Sequence, residues 1–216
     1  MLRTYWLNIA SVALILPGIV LAFVGHDTLR WSPPPVPPAW AASDRQPNPD
    51  SPGAGRNRPD RLPRSSPVSI DIPSIKVHAK VISLGLNPNG TIAVPPLTNP
   101  MVTAWYDKGP APGQPGAAAI LGHVDAASVG PAVFYDLGDL RPGAKIFVRL
   151  STGRTAIFEA YSVALYPKDK FPTRRVFGYT SWPTLRLITC GGSFDSKTGH
   201  YLANIVAYAS YVGSQV

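Results

Sequence analysis

Cys190 is the only cysteine of the 216-residue chain, in the stretch Leu187-Ile188-Thr189-Cys190-Gly191-Gly192. No internal disulfide is open to it. A short apolar, β-branched run leads in and a Gly-Gly pair follows, which places the thiol at the mouth of a strand, ahead of a turn. A histidine sits in a matching context upstream, where Gly122-His123-Val124-Asp125 follows the apolar run Ala117–Leu121. Two strand ends carrying Cys and His can meet across a barrel rim. A neighbouring imidazolium stabilises thiolate, and the imidazole can then protonate a leaving amine. That is the minimum equipment for cysteine transpeptidation or proteolysis. Taken singly, each residue has a plainer reading: Cys190 as a small buried hydrophobe, His123 as a core histidine satisfied by Asp125 or backbone. A zinc site from His123, Asp125, Cys190 and His200 is disfavoured, because the chain has no C-x-x-C or H-x-x-x-H pair. No metal or cofactor is expected.

The elements that must position these groups are mostly strands and turns. Val68–Ile72 alternates with period two, and Val77–Ile82 is a second β-type run. Asn87-Pro88-Asn89-Gly90 reads as a turn before a strand at Thr91–Val94. Lys145–Leu150 and Thr155–Leu165 flank Ser151-Thr152-Gly153-Arg154, a hairpin signal. Leu185–Thr189 and Ala203–Tyr211 are the last apolar strands, and Val133–Leu140 is a candidate for a short turn of helix. Trp105 and Tyr106 read as core or rim. Many short strands between Gly/Pro turns predict an all-β fold, a closed barrel or a sandwich. Residues 68–216 are enough to bury a sizeable core.

The front of the chain is different. Tyr5–Val24 contains no charged residue, and about twenty apolar residues can cross a bilayer as a helix. We therefore expect a tail over residues 1–4 and a transmembrane signal-anchor over 5–25, with the domain outside the cell. A cleaved signal peptide would have a shorter apolar region close to its cleavage site. Residues 26–67 hold eleven prolines between Pro33 and Pro67, too few large apolar groups for a core. They are expected to form a disordered, partly extended spacer. Part of the formal net charge of +8 lies there, in Arg45, Arg56, Arg58, Arg61 and Arg64. It suits contact with anionic lipid or wall polymer. No basic helix or aromatic-studded basic patch points to nucleic acid.

Leu187-Ile188-Thr189-Cys190 resembles the cysteine strand of the sortases. Gly122-His123-Val124-Asp125 with Gly130-Pro131-Ala132-Val133-Phe134 is similar to the histidine segment of actinobacterial class E and class F sortases. So are Tyr166-Pro167-Lys168-Asp169 with Phe171-Pro172-Thr173, and Cys190-Gly191-Gly192 with Phe194-Asp195 and Gly199-His200-Tyr201. The motifs run in order through residues 68–216, and the likeness is greatest to class F. The resemblance implies an eight-stranded sortase-type β-barrel with short helices, preceded by the one N-terminal transmembrane helix. It implies a membrane-anchored cysteine transpeptidase that cleaves an LPXTG-like surface-protein signal between Thr and Gly. Cys190 would form a thioester, His123 would be the acid/base, and an amine of a cell-wall precursor or another protein would be the acceptor. Thr189 and Gly191 would face substrate, and Gly191-Gly192 N–H groups an oxyanion.

One departure from the family pattern stands out. Sortases carry an arginine on the strand after the cysteine, and here no arginine follows Arg186. Asn204 lies about where it is expected, with Arg174, Arg175 or His200 as substitutes. Arg186, four residues before Cys190, would be about 13 Å away on a strand. Two further readings follow: a weakened sortase-like binding protein, and a cysteine hydrolase that releases surface proteins. Asp195 is close enough in sequence to raise the thiol pKa.

Overall fold

The computed structural model describes residues 32–38 and 59–216. The expected membrane span lies outside them, as does most of the Pro-rich stretch. Among the described residues, no helix is long and apolar enough to cross a membrane.

Eight strands close into a barrel. They are β1 (Pro67–Ile72), β2 (Val77–Leu84), β3 (Thr103–Tyr106), β4 (Gly116–Gly122), β7 (Lys145–Leu150), β8 (Thr155–Pro167), β9 (Pro183–Asp195) and β10 (His200–Gln215). The order around the barrel is β1-β2-β3-β4-β9-β10-β8-β7, and β7 pairs with β1 to complete it. A small separate ladder joins β5 (Asp125–Ala126) to β6 (Gly130–Pro131). Among the described residues the one α-helix, α1 (Thr173–Phe177), lies between β8 and β9. The expected eight-stranded barrel is therefore present. A 3-10 turn at Tyr135–Asp139 sits where a helical turn was expected.

The interior follows from alternation. Ile70 and Ile72 of β1, Ile146 and Val148 of β7, and Leu185 and Leu187 of β9 are fully buried in one cluster. A second cluster lies on the outer face of the β4–β9–β10–β8 wall. It comprises Ala119, Ala164, Ile188, Val206 and Tyr208, with Val176 of α1 packed over them. Strands apolar on both faces read as continuous runs rather than alternations, which is why Ala117–Leu121 and Leu185–Thr189 looked alike in the sequence.

Three expectations need correction. Thr91–Val94 is not a strand; Ile92 makes only an isolated bridge to Leu86, because Pro95 and Pro96 follow at once and cannot donate to a ladder. β3 was missed, being four residues long without a flanking periodic run. Gly191-Gly192 is not a turn: β9 runs through it to Asp195, and the turn comes afterwards. The pairing slips opposite this pair, between Tyr201 and Ala203, with Gly192 at φ +75°. This is a bulge that glycine permits.

Two pieces of the Pro-rich stretch pack on the barrel. Leu62 is buried and its N–H donates to the Gly113 carbonyl at 3.0 Å. Arg64 donates to the carbonyls of Asp107 and Gly109 and lies over the Trp105 ring. Further forward, Pro34 is buried and the Tyr135 hydroxyl donates to the Ser32 carbonyl.

Candidate active site

The register brings the two reactive groups together. β4 and β9 are parallel neighbours, with Leu121 opposite Ile188. Side chains alternate across a strand, so the next same-face step is His123 on one chain and Cys190 on the other. β10 lies on the far side of β9 and sets Asn204 opposite Cys190; β8 sets Tyr166 opposite Asn204. The next row down, Leu121, Ile188, Val206 and Ala164, forms an apolar floor. His123, Cys190 and Asn204 are half-buried and line one groove of about 690 Å³. Its walls are Ile92, Val94 and Pro95 on one side and Phe171 and Phe177 on the other. Such a groove fits an extended, mostly apolar peptide.

His123 is held from outside the barrel. Its Nε2 lies 2.7 Å from the Pro95 carbonyl. A carbonyl only accepts, so Nε2 carries the proton and Nδ1 is the nitrogen left to exchange protons. The strand beneath depends on Gly122: a Cβ there would fall 2.6 Å from the Phe134 ring and 2.8 Å from Val133 Cγ1. Phe134 is fully buried and its N–H donates to the His123 carbonyl at 2.9 Å. Gly122→Ala is expected to cost about 1–3 kcal/mol, read as a lowered midpoint in thermal or urea unfolding.

Asp125 does not satisfy His123. It accepts a hydrogen bond from Tyr201, tying the histidine loop to the start of β10. Burial, then this bond to a carboxylate, hold the Tyr201 phenol above the ordinary tyrosine range. Tyr208 is raised likewise, by burial and then by its bond to Tyr166. A raised folded pKa gives stability that is complete below the unfolded value and is lost as pH climbs past it. Stability is therefore expected to fall above about pH 10. Tyr201→Phe should cost about 1–2 kcal/mol at pH 7 and flatten that alkaline loss; urea unfolding at pH 7 and 11 measures both.

The other predicted site residues divide. Thr189 lines the groove, with its Oγ1 buried and without a hydrogen-bond partner. Gly191 packs where a Cβ would meet Ile205 Cδ1 at 2.6 Å, so a side chain there would displace a buried core residue. Arg174 and Arg175 are exposed on α1 and do not line the groove. Arg175 lies 5.9 Å from the Tyr208 ring. His200 is exposed and pairs with Asp195 at the far end of the hairpin. Arg186 shares the face of Cys190 but is fully buried two rows away, 4.6 Å over the Tyr208 ring. Asp195 accepts from the Lys197 N–H and the Thr198 hydroxyl. Those two bonds hold its pKa low and commit it to its own turn. Lys168, which the sequence offered within the Tyr166–Asp169 motif but without a role, is the only lysine or arginine lining the groove among the described residues.

A family model described as "Sortase domain" matches residues 70–212. No curated protein matches the chain. Among solved structures, it is similar to sortase A of Listeria monocytogenes, at 16% identity and TM-score 0.52, covering 69% of this chain and 90% of that one. It is similar to sortase C-1 of Actinomyces oris at 20% identity and TM-score 0.53, covering 68% and 75%. A further sortase of Actinomyces oris matches at 15% identity and TM-score 0.53, covering 74% and 91%. At these identities the structural likeness bears on the fold.

Proposed function

The chain belongs to the sortase family and is a sortase transpeptidase, and on that premise we propose that it cleaves an LPXTG-like sorting signal at Thr–Gly through a thioester on Cys190. It is of the class F or class E kind. Residues 5–25 anchor it in the cell membrane, with the catalytic domain extracellular. The acyl group passes to an amine nucleophile of the cell wall, from a peptidoglycan precursor or another protein.

The observation that carries this reading is the row His123–Cys190–Asn204 at the head of one apolar groove. The thiolate attacks the threonine carbonyl and a C–S bond forms. The Gly191 and Gly192 N–H groups and the Asn204 amide are the donors available to the oxyanion. The C–N bond then breaks, and the glycine amine leaves with a proton from His123. An acceptor amine reverses these steps.

A second reading follows from Asn204. It is neutral, where the family pattern carries an arginine. Losing a strong oxyanion donor costs about 3–4 kcal/mol, or roughly 10²–10³ in rate. A protein so weakened would bind signals with little turnover. Water in place of the amine would make it a hydrolase that releases surface proteins.

One experiment separates these outcomes. The full-length chain is incubated with LPXTG- and LAXTG-type peptides, with and without triglycine, and read by intact-mass spectrometry. A Cys190 adduct that passes to triglycine is the expected result. An adduct that only hydrolyses supports the hydrolase reading. No adduct from any peptide, with a reduced thiol and a folded barrel, refutes the transpeptidase reading.

A further inference from the structure

A second cleft, of about 770 Å³, opens beside the end of β9, beyond Cys190. One wall is the forward piece of the Pro-rich stretch, through Pro33, Pro34 and Val36; the other is Phe194 and Tyr201. Among the described residues, Asp125 is the only charged side chain in its lining. The cleft reaches the strand that carries the nucleophile, since Gly192 lies two residues beyond Cys190 and Ala203 pairs with Gly191; both line it.

The segment 32–38 is docked, not incidental. Pro34 is buried, the Ser32 carbonyl accepts from Tyr135, and the Pro35 carbonyl lies against Gly138 so closely that a Cβ there would come within 2.0 Å. Consecutive prolines fix φ, so little chain entropy is lost on docking.

We infer that this segment forms one wall of the acceptor site, so that residues 32–38 help decide whether the thioester goes to an amine or to water. The inference rests on the transpeptidase reading above. The signal peptide occupies the groove over Ile188 and Thr189, so the acceptor must arrive from another side. The second cleft offers that side, and the Asp125 carboxylate in it attracts an ammonium group. A protein of net charge +8 would otherwise repel such a cation. Once bound, the ammonium gives one proton to solvent water and its lone pair attacks the thioester carbonyl. A C–N bond forms, the C–S bond breaks, and the second amine proton restores the Cys190 thiol.

The test uses the full-length chain, an LPXTG-type peptide and a triglycine series, reading the ratio of ligated to hydrolysed product. That ratio is set after the thioester forms, so it does not depend on how fast the signal is cleaved. Gly138→Ala would eject the Pro35 carbonyl, and Tyr135→Phe releases the Ser32 carbonyl. We expect the ratio to fall at least fivefold in Gly138→Ala and to a lesser degree in Tyr135→Phe. A ratio unchanged or raised in both overturns the inference, and a rise would make the segment a barrier. If Gly138→Ala fails to fold, Tyr135→Phe decides. If the parent forms no thioester, the transpeptidase reading fails first and this inference falls with it. If the parent ligates normally and the variants match it, this inference alone fails.

Discussion

Replacing Cys190 with alanine is expected to abolish both the acyl adduct and the ligated product, a loss of at least about 10³-fold in kcat/KM. The thermal midpoint should move little, because the side chain is half-buried at the head of a groove and not in either apolar cluster. Product from an LPXTG-type peptide and triglycine, together with an unfolding curve, measures both halves. Cys190→Ser sharpens the test. A hydroxyl of similar size keeps the packing but cannot ionise beside an imidazole at neutral pH. Turnover surviving in either variant would remove the thioester from the mechanism.

His123→Gln is expected to lower kcat by roughly 10²–10⁴-fold. The amide NH₂ can still donate to the Pro95 carbonyl, as Nε2 does at 2.7 Å, so the wall of the groove should remain. What disappears is the group that takes a proton from the thiol and returns it to the leaving amine. Single-turnover kinetics on an LPXTG-type peptide measures the loss. Equal kcat for parent and variant would reduce His123 to a positioning residue.

Much of the barrel could be read from the chain, because β1, β2 and the β7–β8 hairpin alternate or turn as isolated strands do. β3 could not, since its four residues are held by β2 and β4 on either side and not by any local preference. Cys190 and His123 were legible for a different reason: each follows an apolar run whose two faces are both buried. Their partners were not. The Pro95 carbonyl that holds His123 comes from a loop whose backbone has no sequence signature. Tyr201, which takes Asp125 away from the histidine, faces it only after β10 folds back. Asn204 was found by counting from the turn, and the register sets it opposite Cys190. Arg174, Arg175 and His200 are near the cysteine in sequence, but α1 and the hairpin turn carry them outside the groove.

The parallel pairing of β4 with β9 has a consequence for how the protein comes into being. The two strands that deliver His123 and Cys190 are joined by residues 123–182, the whole of the intervening β5–β8 and α1. Such a contact is of high order and forms late, after local hairpins have already assembled. Until then the two halves of the site are apart and the groove they share does not exist. A chain still emerging or still partly folded thus has no assembled site to misdirect. Catalytic competence comes with completion of the barrel itself, so acyl-adduct formation is a measure of how much of the chain has finished folding.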